Sequence, residues 1–142
     1  MENLPPVILA SSSPRRSELL ASMNIEFEIV PSHAEEIMEG SDFIPDLCET
    51  NARAKAEPIA ELHPEYLVVA ADTMVYLEDE LFGKPTHIDE AARMLARLQG
   101  RTHQVSTGVS LIYHNDEINK VFSVITNVTF LPLGKGQIDE YL

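Results

Sequence analysis

The sequence predicts an α/β fold in which a mixed sheet is flanked by helices, and three observations lead to this prediction. A helical segment lies between two strand-like runs, residues 7–10 and 25–30, as in the first unit of an α/β sheet. The run at 66–71 is wholly apolar, which is typical of a central strand covered on both faces. Residues 102–113 and 120–131 are long strand candidates separated by a His-Asn-Asp turn, so we expect them to pair antiparallel.

The chain opens with a strand, a turn of small residues and a helix. Residues 7–10 are apolar and are followed by three serines. Ser13 is a suitable N-cap and Pro14 a suitable first helical residue. The helix then carries an apolar stripe, which in a surface helix normally faces the core. The stripe consists of Leu19, Leu20 and Met23.

This turn predicts an anion site. Free backbone N–H groups, serine hydroxyls such as that of Ser11, and the side chains of Arg15 and Arg16 meet at one helix N-terminus. Two arginines suit a polyphosphate better than a single carboxylate. The alternative that these residues leave open is an ordinary capped helix with two solvated arginines.

Composition restricts the class of protein. A length of 142 residues fits one domain spanning 1–142, and no apolar run predicts a membrane span or a secretory signal. The single cysteine, Cys48, excludes an internal disulfide and favours the cytosol. The net charge of −13 argues against a nucleic-acid polymer as partner. The charge is compatible with binding of a free nucleotide, because a few cationic side chains can converge locally in an acidic protein.

Asp72 is the strongest candidate for chemistry. It directly follows the apolar run at 66–71, and ligands gather at the carboxyl ends of strands in open α/β sheets. A carboxylate there can act as a general base or bind a metal. The alternative is an N-cap or turn aspartate. Residues 74–77 are predicted to continue the strand, and residues 78–80 to turn it back.

Further helices are predicted in the middle and at the end of the chain. Residues 46–62 are rich in Ala, Glu, Arg and Lys, and Pro58 is expected to kink or end this helix. Residues 86–89 have a capping-box pattern that opens a second helix, which is expected to end at Gly100. Residues 133–142 begin another helix.

Other charged residues are weaker candidates. Glu35 and Glu36 lie in an acidic loop, where one of them would supply a second carboxylate for Mg²⁺. Lys55 on a predicted helix and Lys84 between glycine and proline would neutralise phosphates. The alternative for all four is a solvated surface position. His103 is either a base or a histidine at the sheet surface, and the second reading is the expected one.

Six segments, taken in chain order, carry a resemblance to a known family. They are Ala-Ser-Ser-Ser-Pro-Arg-Arg-Ser-Glu-Leu-Leu at 10–20, Glu-Glu at 35–36, Ala-Arg-Ala-Lys-Ala at 52–56, Ala-Ala-Asp-Thr-Met-Val at 70–75, Gly-Lys-Pro at 83–85 and Gly-Arg-Thr-His-Gln-Val-Ser-Thr-Gly-Val at 100–109. In this order they resemble the Maf family of nucleoside triphosphate pyrophosphatases. The resemblance implies a mixed α/β sheet with two lobes and a central cleft. It also implies hydrolysis of a nucleoside triphosphate to the monophosphate and pyrophosphate with a divalent cation, Mg²⁺ or Mn²⁺.

The resemblance implies roles for individual residues. Asp72 matches the family's proton acceptor, and Glu36 together with Asp72 would hold the metal. Arg15 and Thr73 would help to select the base. The residues implied to bind substrate are Ser11, Ser13, Arg15, Arg16, Lys55, Thr73 and Lys84.

The resemblance also bears on substrate and assembly. Ala-Asp-Thr at 71–73 and Arg-Thr-His-Gln-Val at 101–105 resemble the branch that acts on dTTP and UTP, rather than the branch that acts on 7-methyl-GTP. The alternative function is a nucleotide-binding regulator of septum formation or cell division without turnover. The resemblance further implies a homodimer, and a C-terminal Lys-Ala-Gly-x-Tyr segment that is absent here.

Overall fold

The computed structural model describes residues 5–11, 13–32, 43–78, 80–82, 87–132 and 136. These residues form helices and strands in the alternating order expected of an α/β fold. The elements are β1 (Val7–Leu9), α1 (Pro14–Ser22), β2 (Phe27–Ile29), α2 (Ile44–Leu62), β3 (Leu67–Leu77), β4 (Glu80–Phe82), α3 (Ile88–Leu98), β5 (Thr102–Tyr113), a 3₁₀ turn (His114–Asp116) and β6 (Ile118–Thr129).

The strands form a mixed sheet, which confirms the predicted fold class. Their order is β2-β1-β3-β5-β6, and β4 pairs with β3. Strand β1 is parallel to both β2 and β3, whereas β4 is antiparallel to β3. The predicted central position of β3 is confirmed, since it lies between β1 and β5 and its Val68 and Ala70 are fully buried.

The predicted antiparallel pairing of β5 with β6 is also confirmed. The hydroxyls of Thr102 and Thr129 are 2.7 Å apart, and the Gln104 side-chain amide donates to Asn127 Oδ1 at 3.2 Å. The partner's number falls as the number on β5 rises, which is the register of antiparallel strands.

The chain divides into two compact units. One comprises residues 1–72 and 107–124, and the other comprises residues 73–106 and 125–142. The lobes and central cleft implied by the family resemblance stay a prediction. In the first unit, α2 packs on β1, β3 and β5 through one hydrophobic core. That core consists of Ile8, Ala10, Ala56, Ile59, Ala60, Val68, Ala70 and Ile112.

Helix α2 lies against β5 at a glycine. A Cβ atom built on Gly108 would stand 2.5 Å from both the carbonyl oxygen of Cys48 and the amide nitrogen of Glu49. Only glycine allows the helix backbone to come this close to the strand. Pro58 was expected to kink or end the helix; the helix continues to Leu62, so Pro58 does not end it, and the kink stays a prediction.

Two details of the other helices differ from the predictions. The stripe on α1 does not face a core: Leu19 and Met23 are 62% and 65% exposed, and the helix has no buried residue. The N-cap of α3 is His87, so the predicted capping box does not open the helix, and Thr86 lies outside the described residues. Gly100 follows α3 with φ of 66°, which agrees with the predicted end.

The C-terminal helix predicted at 133–142 lies outside the described residues, apart from Gly136. Within the described part of the chain, every helix is too short or too polar to cross a bilayer.

Candidate functional site

The parallel pairing of β1 with β3 brings the serine turn next to Asp72. Leu9 is in register with Val69, and the amide of Ala10 donates to the Val69 carbonyl at 2.8 Å. Ser11, two residues beyond Leu9, and Asp72, three residues beyond Val69, are 6% and 3% exposed. The register therefore places the serine turn near Asp72 at the carboxyl end of β1, which is where α/β sheets commonly bind ligands.

Ser11 organises the turn. Its hydroxyl oxygen accepts a hydrogen bond from the backbone amide of Ser13 at 3.1 Å and another from Arg16 Nη1 at 3.3 Å. The half-buried Arg16 side chain is thereby held back against the strand end. Ser13 and Arg16 were both predicted as phosphate-binding residues, and the structure places them on one hydroxyl group.

The N-terminus of α1 has the character of an anion site. Ser13 is the N-cap and Pro14 begins the helix, as predicted. However, the Ser13 side chain makes no capping hydrogen bond, so its hydroxyl does not satisfy the N–H groups of the first turn. Arg15 is exposed in the same turn. Backbone donors and guanidinium groups together suit the oxygens of an anion such as phosphate, and phosphate binding here stays a prediction.

Asp72 is held by two donors from one helix. Its Oδ1 accepts a hydrogen bond from Lys55 Nζ at 3.2 Å, and its Oδ2 accepts one from Asn51 Nδ2 at 3.0 Å. Asn51 and Lys55 are four positions apart on α2 and therefore lie on the same face. Lys55 Nζ also donates to the Ala71 carbonyl at 3.2 Å.

This arrangement stabilises a buried carboxylate. The Asp72 and Lys55 side chains are only 4% and 13% exposed, and burial of a charge is costly unless the charge is paired and hydrogen-bonded. Lys55 supplies the opposite charge, and Asn51 supplies a second donor. A carboxylate fixed in this way is suited to orienting a water molecule and accepting its proton.

Asn51 was missed by the sequence analysis. It is 1% exposed and lies on the buried face of α2, between Cys48 and Ala52. The signal that would have found it is a polar amide within the apolar stripe of a helix, one turn before a lysine. Lys55, like Asn51, donates to Asp72. Its predicted contact with a triphosphate stays a prediction.

The remaining predicted residues are less well placed. Glu36 and Lys84 lie outside the described residues. Thr73 is exposed and follows Asp72 on β3, so the two side chains point to opposite faces of the strand. His103 is 4% exposed, so the expected surface position is wrong. Its burial lowers the pKa of the imidazole below the ordinary value of 6.5.

The described residues fit a metal only in combination with substrate. Among them, no group of three or more His, Cys, Asp or Glu side chains could hold a metal ion. Mg²⁺ is commonly bound by one or two carboxylates and by substrate phosphates. As a single carboxylate among the described residues, Asp72 fits a cation that substrate phosphates also bind.

Comparison with known proteins identifies the family of this chain. The family model described as Maf-like protein matches residues 6–142. The chain belongs to the Maf family. The family predicted from the sequence motifs is thereby confirmed. Thus the serine turn and the Asp72 cluster described above are features of a Maf protein.

Three similar curated proteins are each named dTTP/UTP pyrophosphatase. The dTTP/UTP pyrophosphatase of Akkermansia muciniphila is 45% identical over 139 residues, which are 98% of this chain and 72% of the relative. That of Desulforamulus reducens is 42% identical over 96% of this chain and 72% of its own. That of Bacillus cereus is 40% identical over 99% of this chain and 68% of its own.

Proposed function

We propose that this Maf protein hydrolyses dTTP and UTP to the nucleoside monophosphate and pyrophosphate. The curated relatives are dTTP/UTP pyrophosphatases by name. The single structural observation that carries the proposal is the buried Asp72 carboxylate, held by Lys55 and Asn51 beside the serine turn. An acid and an anion site on neighbouring strands are the two parts that phosphate-ester hydrolysis needs.

The triphosphate would bind at the N-terminus of α1. Arg15, Arg16 and the first-turn N–H groups offer positive charge and donors to its oxygens. Ser11 would fix the position of Arg16, because its hydroxyl accepts from that guanidinium. A protein of net charge −13 repels a free triphosphate at long range, so these local cations have to dominate at the site. Lys84 is proposed to add a further cation.

Asp72 would act on the attacking water. It accepts a proton as the water oxygen forms a bond to the α-phosphorus. The bond from that phosphorus to the bridging oxygen breaks, and pyrophosphate leaves with the electron pair. Lys55 and the arginines would spread the negative charge that develops. A divalent cation bound by Asp72, and by Glu36 as proposed, would neutralise phosphate charge.

The test is a nucleotide panel scored for pyrophosphate, run on the wild type and on Asp72→Asn. We expect equal amounts of monophosphate and pyrophosphate from dTTP and UTP with Mg²⁺ or Mn²⁺. Asp72→Asn keeps the shape of the side chain and should lower kcat by about 10³-fold or more, since it removes the proton acceptor. Circular dichroism should show an unchanged fold.

Three outcomes would count against this proposal. Release of orthophosphate by the wild type would reject the reaction. Unchanged turnover in Asp72→Asn would remove Asp72 from the chemistry. Nucleotide binding without turnover at any metal concentration would favour the regulator of septum formation instead. Location in the cytosol and assembly as a homodimer stay predictions.

A further inference from the structure

We infer that Asn51 is a positioning residue for Asp72, which orients the carboxylate for its reaction with water. The inference rests on the proposed function for its chemical meaning. Its geometry stands separately, because the hydrogen bond from Asn51 Nδ2 to Asp72 Oδ2 is 3.0 Å long and buried.

The two donors on α2, Lys55 and Asn51, bind different oxygens of the Asp72 carboxylate. Lys55 donates to Oδ1 at 3.2 Å and supplies the opposite charge. Asn51 holds Oδ2 and so restricts rotation about the bond between Cβ and Cγ of Asp72. It does so without adding charge.

The helix that carries Asn51 is itself firmly placed. Cys48, Ala52 and Ala56 are fully buried on the same face, and α2 lies against Gly108 of β5 at a distance that leaves no room for a Cβ atom. The Asn51 backbone therefore cannot follow a displaced carboxylate, and its amide defines one position for Oδ2.

Packing alone does not explain an amide at this position. Leucine has the same branched shape, and a fully buried amide costs free energy unless its hydrogen bonds are made. The buried bond to Asp72 Oδ2 is one that an apolar residue of this shape does not make.

The decisive variant is Asn51→Leu, with Thr50→Val as the matched control. Asn51→Leu keeps the shape and removes the donor. Thr50 is exposed on the same helix, and its hydroxyl donates to the Asp46 carbonyl at 2.9 Å, so Thr50→Val also replaces a polar group without approaching Asp72.

A positioning role predicts a split between kinetic constants. Asn51 is not proposed to contact the nucleotide, so KM should stay within about threefold of the wild type. The value of kcat per folded molecule should fall by about 10- to 100-fold, as when a partner that orients a site carboxylate is lost. Thr50→Val should keep both constants. Unchanged kcat in Asn51→Leu, or a loss explained by unfolded protein, would overturn the inference.

A double-mutant cycle with Asp72→Asn gives a second test. If Asn51 acts through Asp72, then adding Asn51→Leu to Asp72→Asn should cause no further loss of the residual activity. A further 10-fold loss in the double variant would show that Asn51 acts independently and would contradict the inference.

A crystal structure of Asn51→Leu separates failure of this inference from failure of the proposed function. The Asp72 carboxylate should have one orientation in the wild type and more than one in the variant. A single unchanged orientation would overturn the positioning role even if pyrophosphate release is observed. If the wild type releases no pyrophosphate, the proposed function fails, and the orientations still decide whether Asn51 positions Asp72.

Discussion

The two helices that border the site are built differently. Helix α1 has nine residues, none of them buried, although it carries Arg15 and Arg16. Helix α2 has 19 residues and carries Asn51 and Lys55 within a buried face. The buried residues of α2 are Pro45, Leu47, Cys48, Asn51, Ala52, Ala56, Ile59 and Ala60.

The difference matches what each helix is proposed to do. Attraction between a guanidinium and a phosphate falls slowly with distance, so a lightly packed helix can supply it. Proton transfer to a carboxylate depends on hydrogen-bond geometry, which weakens steeply with misalignment. The firmly packed helix therefore holds the acid, and the exposed helix offers positive charge.

The largest expected difference in unfolding free energy is between variants of the two cations Lys55, on α2, and Arg15, on α1. Lys55→Met leaves Asp72 buried without its ionic partner and should lower the unfolding free energy by about 3–5 kcal/mol. Arg15→Met removes an exposed charge and should change it by less than about 0.5 kcal/mol. Urea unfolding measures both, and equal effects would contradict the contrast between the helices.

Replacing a leucine by alanine should also lower the unfolding free energy more on α2 than on α1, by a similar or smaller amount. Leu47 on α2 is 3% exposed and Leu19 on α1 is 62% exposed. We expect Leu47→Ala to cost about 2–5 kcal/mol and Leu19→Ala less than about 0.5 kcal/mol. If thermal and urea unfolding show a large loss for Leu19→Ala, α1 has a partner that covers it in solution.

Gly108→Ala tests the contact between α2 and β5. The added methyl group would meet the helix backbone at 2.5 Å, and the strain should cost about 1–3 kcal/mol. Because α2 would have to move, kcat should fall as well, although Gly108 is not proposed to touch substrate. Full stability and full activity in this variant would show that α2 yields easily at Gly108.

The smallest expected effect is the pH dependence of stability caused by His103, which is buried like Asp72 but is not held by donors in the same way. His103 Nδ1 has no hydrogen-bond partner among the described residues, and burial lowers the pKa of the ring. The unfolded chain therefore binds more protons than the folded one near and below pH 6.5. Unfolding free energy should fall as pH decreases through that value, by at most about 1.4 kcal/mol per pH unit.

His103→Leu should remove that part of the pH dependence. The imidazole packs edge-on against Phe130 with 4.9 Å between ring centroids, so an apolar replacement keeps a contact there. Chemical unfolding at several pH values measures the slope in both proteins. An unchanged slope in His103→Leu would assign the pH dependence to other groups.

Local patterns in the sequence predicted much of the fold. Strand β5 spans residues 102–113, as predicted, and the wholly apolar run before Asp72 is the first half of β3. Asp72 was found because it directly follows this run, but its expected place at the end of the strand is wrong, since β3 continues through Asp72 to Leu77. The family motifs, rather than periodicity, assigned roles to the arginines and lysines.

What the sequence did not predict depends on partners far apart in the chain. Asn51 looked like any polar residue of a helix until α2 was packed on β3, which brings it to Asp72. The stripe of Leu19 and Met23 has helical spacing, yet its exposure depends on what covers α1 and not on local sequence. Glu36 and Lys84 lie outside the described residues and stay predictions.

The parallel register of β1 and β3 has a consequence for biosynthesis. Leu9 and Val69 are about sixty residues apart, so the nascent chain must close a long loop before the serine turn reaches the acid. A ribosome-bound fragment that ends before β3 therefore lacks Asp72 and the strand pairing that places it near the serine turn. The proposed nucleotide site is completed only when this late contact forms, and a nucleotide that binds to it would draw the population toward the native state.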